Sequence, residues 1–97
     1  MDDKVEARLA TLGITLPGAP SPVANYVPFF VAGNLLFISG QVSKAADGGI
    51  VAGRLGGGMS VAEGREAARL CALSILAQAK AAAGSLDRIA QIVRLTG

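Results

Sequence analysis

The chain has 97 residues, 52% of them apolar and 16% charged, which fits one globular domain. It contains no histidine and a single cysteine, which excludes histidine-based triads, histidine metal ligands and an internal disulfide. The net charge is +2 and the nine basic residues are dispersed along the chain, so we do not expect a nucleic-acid interface.

The first 22 residues predict a short helix followed by an extended connector. Residues 2–12 are amphipathic, because Val5, Leu9 and Leu12 repeat at helical spacing. Gly13 suits the C-terminal end of this helix. The proline-rich stretch that follows, up to residue 22, excludes a helix.

The next segment predicts a β-hairpin. Residues 26–31 and 35–42 are rich in β-branched and aromatic side chains, and Gly33-Asn34 between them provides a tight turn. Residues 50–52 predict a short third strand, and the glycine-rich segment 53–58 then leads into a helix.

A long helix from Ser60 to Gly84 is the clearest element. Ser60 and Glu63 have the spacing of a capping box. Ser85 is placed to cap a short turn over residues 86–88, and residues 89–96 predict a last strand. The element order predicts an α+β domain with the helix packed on one face of a sheet. One stripe of small and aliphatic residues would face that sheet: Ala68, Ala72, Ile75, Ala79 and Ala82.

The glycine-rich segment is similar in spacing to a phosphate-binding loop. Gly53, Gly58 and Ser60 occupy the loop's glycine and hydroxyl positions, but Met59 stands where the lysine is required. Without that charged ligand for the phosphates, we favour a flexible connector that precedes the helix cap.

Ser39-Gly40, at the end of the second hairpin strand, leaves two interpretations open. Ser39 lacks the flanking glycine of a nucleophile elbow and a histidine to activate it. The pair is therefore either structural or part of a ligand site, where Gly40 would let a ligand approach the backbone. Tyr26 is likewise either a packing residue or a hydrogen-bond donor to a ligand. The carboxylates have local explanations and form no evident acid–base pair: Asp47, Glu63, Glu66 and Asp87.

These segments together resemble the RidA (YjgF-type) family of enamine/imine deaminases, once described as endoribonuclease L-PSP. The hairpin, with its Gly-Asn turn and Ser-Gly-Gln ending, is the most specific part. The resemblance covers essentially the whole chain, in segments 24–29, 33–42, 60–84, 85–89 and 92–96.

The resemblance implies a chorismate mutase-like α+β fold in which the C-terminal β-α-β part is missing. Residues 1–97 would then be a single truncated domain: residues 1–22 form the helix and connector, and residues 23–97 form the hairpin, third strand, helix and last strand. The resemblance also implies a homotrimer that binds a small carboxylate or imino acid between subunits, without a metal or organic cofactor. Tyr26, Ser39 and Gly40 match the residues that line the ligand pocket.

The implied activity is deamination of 2-iminobutanoate- or 2-iminopropanoate-type substrates, which makes the family hydrolases. The carboxylate-binding arginine and the supporting acid would come from the missing part, and no motif places Arg54 or Arg94 in their stead. No catalytic residue can therefore be assigned, and we expect weak or absent catalysis. The alternatives are a non-catalytic metabolite-binding or interaction module and, third, an endoribonuclease or translation inhibitor. The chain has no membrane-length apolar stretch and no basic leader, so we expect a cytoplasmic protein.

Overall fold

The N-terminal helix, α1 (Lys4–Thr11), forms where the sequence predicts it. A computed structural model describes residues 4–19, 27–45, 47 and 49–97. Gly13 ends α1 with a φ of +72°. Its N–H donates to the Ala10 carbonyl at 3.0 Å, and the Ile14 N–H donates to the Leu9 carbonyl at 2.9 Å. This pair of bonds is the Schellman motif, in which a glycine takes the left-handed position.

The hairpin consists of β1 (Phe29–Ala32) and β2 (Leu35–Ile38), which pair antiparallel. The register sets Phe30 opposite Phe37. Gly33 has a φ of +59° and Asn34 has no positive φ, the pattern of a type II′ turn with glycine at its first central position. The predicted hairpin and its turn are therefore confirmed, although both strands are shorter than the sequence suggests.

The long helix, α2 (Val61–Ala83), packs against both hairpin strands. Ser60 Oγ accepts from the Glu63 N–H at 3.1 Å, and Glu63 Oε1 accepts from the Ser60 N–H at 3.0 Å. The capping box is thus confirmed. Gly84 ends the helix with a φ of +83°, and its N–H donates to the Lys80 carbonyl at 2.8 Å.

The buried face of α2 differs from the predicted stripe. Ala79 is buried, but Ala68 and Ala72 are exposed, so the stripe is wrong in its N-terminal half. The inward face carries polar side chains, which a count of apolar residues does not detect. Its buried residues are Ser74, Ala77, Gln78 and Ala79, and Met59 and Leu86 complete the core of the described residues.

A 3₁₀ turn (Leu86–Arg88) follows α2 and lies between it and α1. Ser85 caps it as predicted, because its Oγ accepts from the Asp87 N–H at 3.2 Å. Among the described helices, none is both long and apolar enough to cross a membrane.

Two predicted strands do not form. Residues 50–52 contribute one isolated bridge, between Ile50 and Lys44, within a loop held by the Val51 N–H on the Ser43 carbonyl. Residues 89–96 belong to no strand, and the apolar side chains of Ile92, Val93 and Leu95 are 70–75% exposed. A strand requires a neighbour to accept its backbone hydrogen bonds, and the sheet of the described residues contains β1 and β2 alone.

Candidate functional site

Ser39 extends the hairpin by one more link beyond β2. Its N–H donates to the Pro28 carbonyl at 3.0 Å, and its Oγ donates to the Val27 carbonyl at 2.6 Å. The Ser39 carbonyl in turn accepts from Gln41 Nε2 at 2.9 Å. The Ser39 hydroxyl proton is therefore already used to hold the strand that leads into β1, which favours the structural interpretation of this residue.

Gly40 offers open space next to Ser39. It is exposed, and a Cβ built on it would meet no atom within 4 Å. A ligand could thus approach the backbone here. Tyr26, the third residue predicted to line the ligand site, lies outside the described residues.

The glycine-rich segment closes on itself instead of presenting its amides to an anion. The Gly57 and Met59 N–H groups both donate to the Arg54 carbonyl, at 2.9 and 3.0 Å, and the Gly56 N–H donates to the Met59 carbonyl at 3.0 Å. Met59 is buried beneath this turn. A phosphate loop needs free N–H groups that converge on the ligand, so the geometry supports the connector interpretation.

Every carboxylate within the described residues is already engaged. Glu63 caps α2, and the hydrogen bond from the Ser60 backbone lowers the pKa of Glu63, with a smaller effect of the Ser60 hydroxyl. Asp47 accepts from the Gly49 N–H at 2.8 Å. Glu66 pairs with Arg69 at 3.4 Å on the surface of α2. None of these groups is placed as a general base beside Ser39-Gly40.

Asp87 has a second role that the sequence does not indicate. Its carboxylate accepts from the Lys4 N–H at 2.6 Å and from the Val5 N–H at 2.8 Å. The Val5 bond and then the Lys4 bond lower the pKa of Asp87. Asp87 therefore caps α1 across 82 and 83 residues of sequence. Its local role in the 3₁₀ turn was predictable, but no sequence signal points to this distant contact.

The described residues contain no cluster of three or more acidic, cysteine or histidine side chains that could hold a metal ion. Cys71 is a free, half-buried thiol in the middle of α2. The two candidate cations, Arg54 and Arg94, are exposed on separate segments that flank α2 in sequence. Ser39 and Gly40, which are adjacent in sequence, are thus the only predicted ligand residues among the described residues, and the structure does not assemble a catalytic centre there.

Comparisons with known proteins identify longer relatives. The chain is 46% identical over 92 residues to Protein TCP17 of Trypanosoma cruzi, an alignment that covers 95% of this chain and 58% of that protein. Among solved structures it is similar to a "putative endoribonuclease" from Shewanella oneidensis, with a TM-score of 0.83 and 40% identity over 90% of this chain and 58% of the other. It is also similar to the protein Atu1372 from Agrobacterium tumefaciens, of unknown function, with a TM-score of 0.76 and 46% identity over 92% of this chain and 54% of the other.

The chain thus spans a little over half the length of these relatives. At 40–46% identity, the structural matches establish the α+β, chorismate mutase-like fold. The family described as "YjgF/chorismate mutase-like, putative endoribonuclease" matches residues 6–97. Since that match includes most of α1, the hairpin, the Ser39-Gly40 segment after β2 and all of α2, the chain belongs to the YjgF family.

Proposed function

We propose that this chain is part of an enamine/imine deaminase, a hydrolase of small imino acids derived from amino acids. The observation that carries the proposal is the family match over residues 6–97, in which the hairpin ends on Ser39 and the open Gly40. In the proposed reaction water adds to the imine carbon, the C–N bond breaks and ammonia leaves, so that a 2-keto acid remains.

This reaction makes two demands on a protein. A cation must hold the substrate carboxylate, and a proton-transfer group must act on the attacking water. The carboxylates of the described residues are engaged in caps and ion pairs, and the Ser39 hydroxyl donates to the Val27 carbonyl. We therefore propose that this chain by itself has weak or no deaminase activity.

The test is release of ammonia and keto acid from freshly generated 2-aminoacrylate. This chain is compared with buffer and with one of the longer relatives as a positive control. We expect the relative to accelerate release and this chain to add little. A turnover equal to that of the relative would contradict the proposal of weak activity. Acceleration by neither protein would contradict the deaminase assignment. If this chain does accelerate release, Arg54→Gln and Arg94→Gln identify which cation holds the carboxylate.

A non-catalytic metabolite-binding role is the second candidate. It is favoured by the open space at Gly40 next to a serine whose hydroxyl is already used, an arrangement that suits binding more than proton transfer. Titration calorimetry with small carboxylates and keto acids tests it. Heat that disappears in Gly40→Val, with the fold retained, would support binding at this position, and no heat with any ligand would exclude this candidate.

A ribonuclease role ranks third, although the descriptions of the family and of one solved relative include that activity. The chain contains no histidine, the usual general acid and base for phosphodiester cleavage at neutral pH. In α2 Arg69 also lies 3.4 Å from Glu66, which offsets its charge. An RNA degradation assay on protein freed of contaminating nucleases tests this role. Cleavage activity that co-purifies with the chain would support a ribonuclease role.

We further propose that the chain forms a homotrimer, with the ligand site at the subunit interface. The support is an apolar surface on one face of the hairpin. Its three large residues are 48–62% exposed: Phe30, Leu35 and Phe37. An exposed apolar patch of this kind is more often covered by another subunit than left in contact with water.

A further inference from the structure

Helix α1 is held to the protein mainly by polar contacts. None of its residues is buried, and Leu9 is its one half-buried apolar residue. Among the described elements it lies against the 3₁₀ turn. Because little apolar area is removed from water at this contact, the hydrophobic contribution to docking is small.

The first polar contact is the cap at the start of α1. Asp87 binds the Lys4 and Val5 amides through one carboxylate oxygen each, at 2.6 and 2.8 Å. These are amides that a helix N-terminus leaves unpaired, and the bonds are charge-assisted. The Lys4 side chain adds a favourable Coulomb interaction with Asp87. The N-terminal end of α1 is thus fixed to the 3₁₀ turn by a residue far away in sequence.

The second polar contact joins α1 to α2. Glu6 Oε1 lies 2.7 Å from Lys80 Nζ, and both side chains are partly exposed. Lys80 lies in the last turn of α2, where a positive charge also interacts favourably with the helix dipole. Lys80 therefore stabilises the C-terminal end of α2 and also binds α1 through Glu6.

The connector after α1 continues over the same end of α2. Residues 16–19 form one wall of an open cavity of about 330 Å³, and Ala77, Lys80 and Gly84 contribute to the other wall. Movement of α1 away from the 3₁₀ turn would break the Glu6–Lys80 ion pair, and movement of the connector together with α1 would remove a wall of this cavity.

We propose that α1 and the connector up to Ala19 form a latched arm, which opens as a unit while the rest of the fold stays intact. The Asp87 carboxylate is the main latch and the Glu6–Lys80 ion pair the second. In the open state the Lys80 ammonium becomes available to an anionic ligand. The charged groups around the latch are Lys4 and Glu6 on α1, Arg88 in the 3₁₀ turn and Lys80 on α2.

Native-state amide hydrogen exchange on the full chain tests the arm without any substitution. The reporter amides are those of Lys4 and Val5, whose bonds to Asp87 break when the arm opens, compared with Ala77 to Ala79 in the buried part of α2. A local opening exposes little surface, so exchange in α1 should be almost independent of low urea concentrations, whereas exchange in α2 should depend on urea strongly. Equal urea dependence in both helices would overturn the proposal.

Substitutions assign the latch. Asp87→Asn removes the charge and one of the two acceptor oxygens, so exchange of the α1 reporter amides should accelerate about fivefold, the size of one lost hydrogen bond, while the α2 amides stay unchanged. Glu6→Gln should accelerate α1 exchange about twofold, as for an exposed ion pair. Asp47→Asn and Glu66→Gln are the matched controls, since they alter an acid that caps a turn and an acid in an ion pair elsewhere. If Asp87→Asn leaves α1 unaffected, or accelerates α1 and α2 equally, Asp87 is not a latch.

Discussion

Phe30 and Phe37 lie directly opposite each other across the hairpin, and they are 62% and 56% exposed. On the opposite face Phe29, Leu36 and Ile38 are half-buried, and Val31 is 54% exposed. Both faces of the hairpin are therefore apolar, but only the second is partly covered within the described residues. A cross-strand aromatic pair open to water is an expected centre for association between subunits.

Phe37→Lys should prevent self-association, because a charge at the centre of an apolar interface would be buried without a partner. Light scattering should give wild-type protein a mass three times the 9.7 kDa of one chain, and give the variant the mass of a monomer. Leu12→Lys is the matched control, since Leu12 is equally exposed at 56% but lies at the end of α1. A variant that keeps the wild-type mass would place the interface elsewhere, and a monomeric wild type would refute the trimer.

The stability of the protein should depend on the absence of a side chain at Gly33, in the turn of the hairpin, and not on its absence at Gly40. Gly33→Ala forces an L-residue to a φ of +59°, which should destabilise the protein by about 1 kcal/mol. Gly40→Ala adds its methyl group to open space, with no atom within 4 Å, and should change stability by less than about 0.5 kcal/mol. Urea denaturation followed by circular dichroism measures both. Equal losses in the two variants would show that backbone conformation at Gly33 is not the cause.

Local signals explain why the hairpin and α2 were predictable. Gly33-Asn34 specifies a two-residue turn, and the Ser60–Glu63 spacing specifies the start of a helix, whatever the rest of the chain does. The predicted strands at 50–52 and 89–96 do not form, because their formation depends on the rest of the chain. Their residues have strand propensity, but a strand forms only when a neighbouring strand accepts its hydrogen bonds.

The site was less predictable than the fold. The sequence located Ser39 and Gly40 at a strand end, but could not decide whether the Ser39 hydroxyl faces a ligand or the Val27 carbonyl, since that depends on how two segments 12 residues apart approach each other. The role of Asp87 at the start of α1 depends on a contact across 82 residues, for which one sequence contains no signal.

Loss of the capping box should weaken α2 measurably. Ser60→Ala removes the acceptor for the Glu63 N–H and should reduce the free energy of unfolding by about 1 kcal/mol. Ser60→Asp restores an acceptor at the same position and should recover most of the loss. Thermal and urea denaturation followed by circular dichroism at 222 nm give both values. If Ser60→Ala is as stable as the wild type, or Ser60→Asp as unstable as Ser60→Ala, the hydrogen bond does not stabilise the helix.

The attachment of α1 should be lost in acid and stay constant near neutral pH. Hydrogen bonds from the Val5 and Lys4 amides favour the Asp87 carboxylate, so its pKa in the folded protein lies below the ordinary value of 3.8. A group with a lowered pKa contributes its full stabilisation above the ordinary value and loses it as the pH falls through the lowered one. In an NMR titration the Val5 amide signal should therefore shift with a midpoint below 3.8, and α1 exchange should accelerate over the same range.

Asp87→Asn should abolish this transition while the Ser60 amide still reports the titration of Glu63, whose pKa is lowered by its own cap. A Val5 midpoint at or above 3.8 would show that Asp87 does not cap α1 in solution.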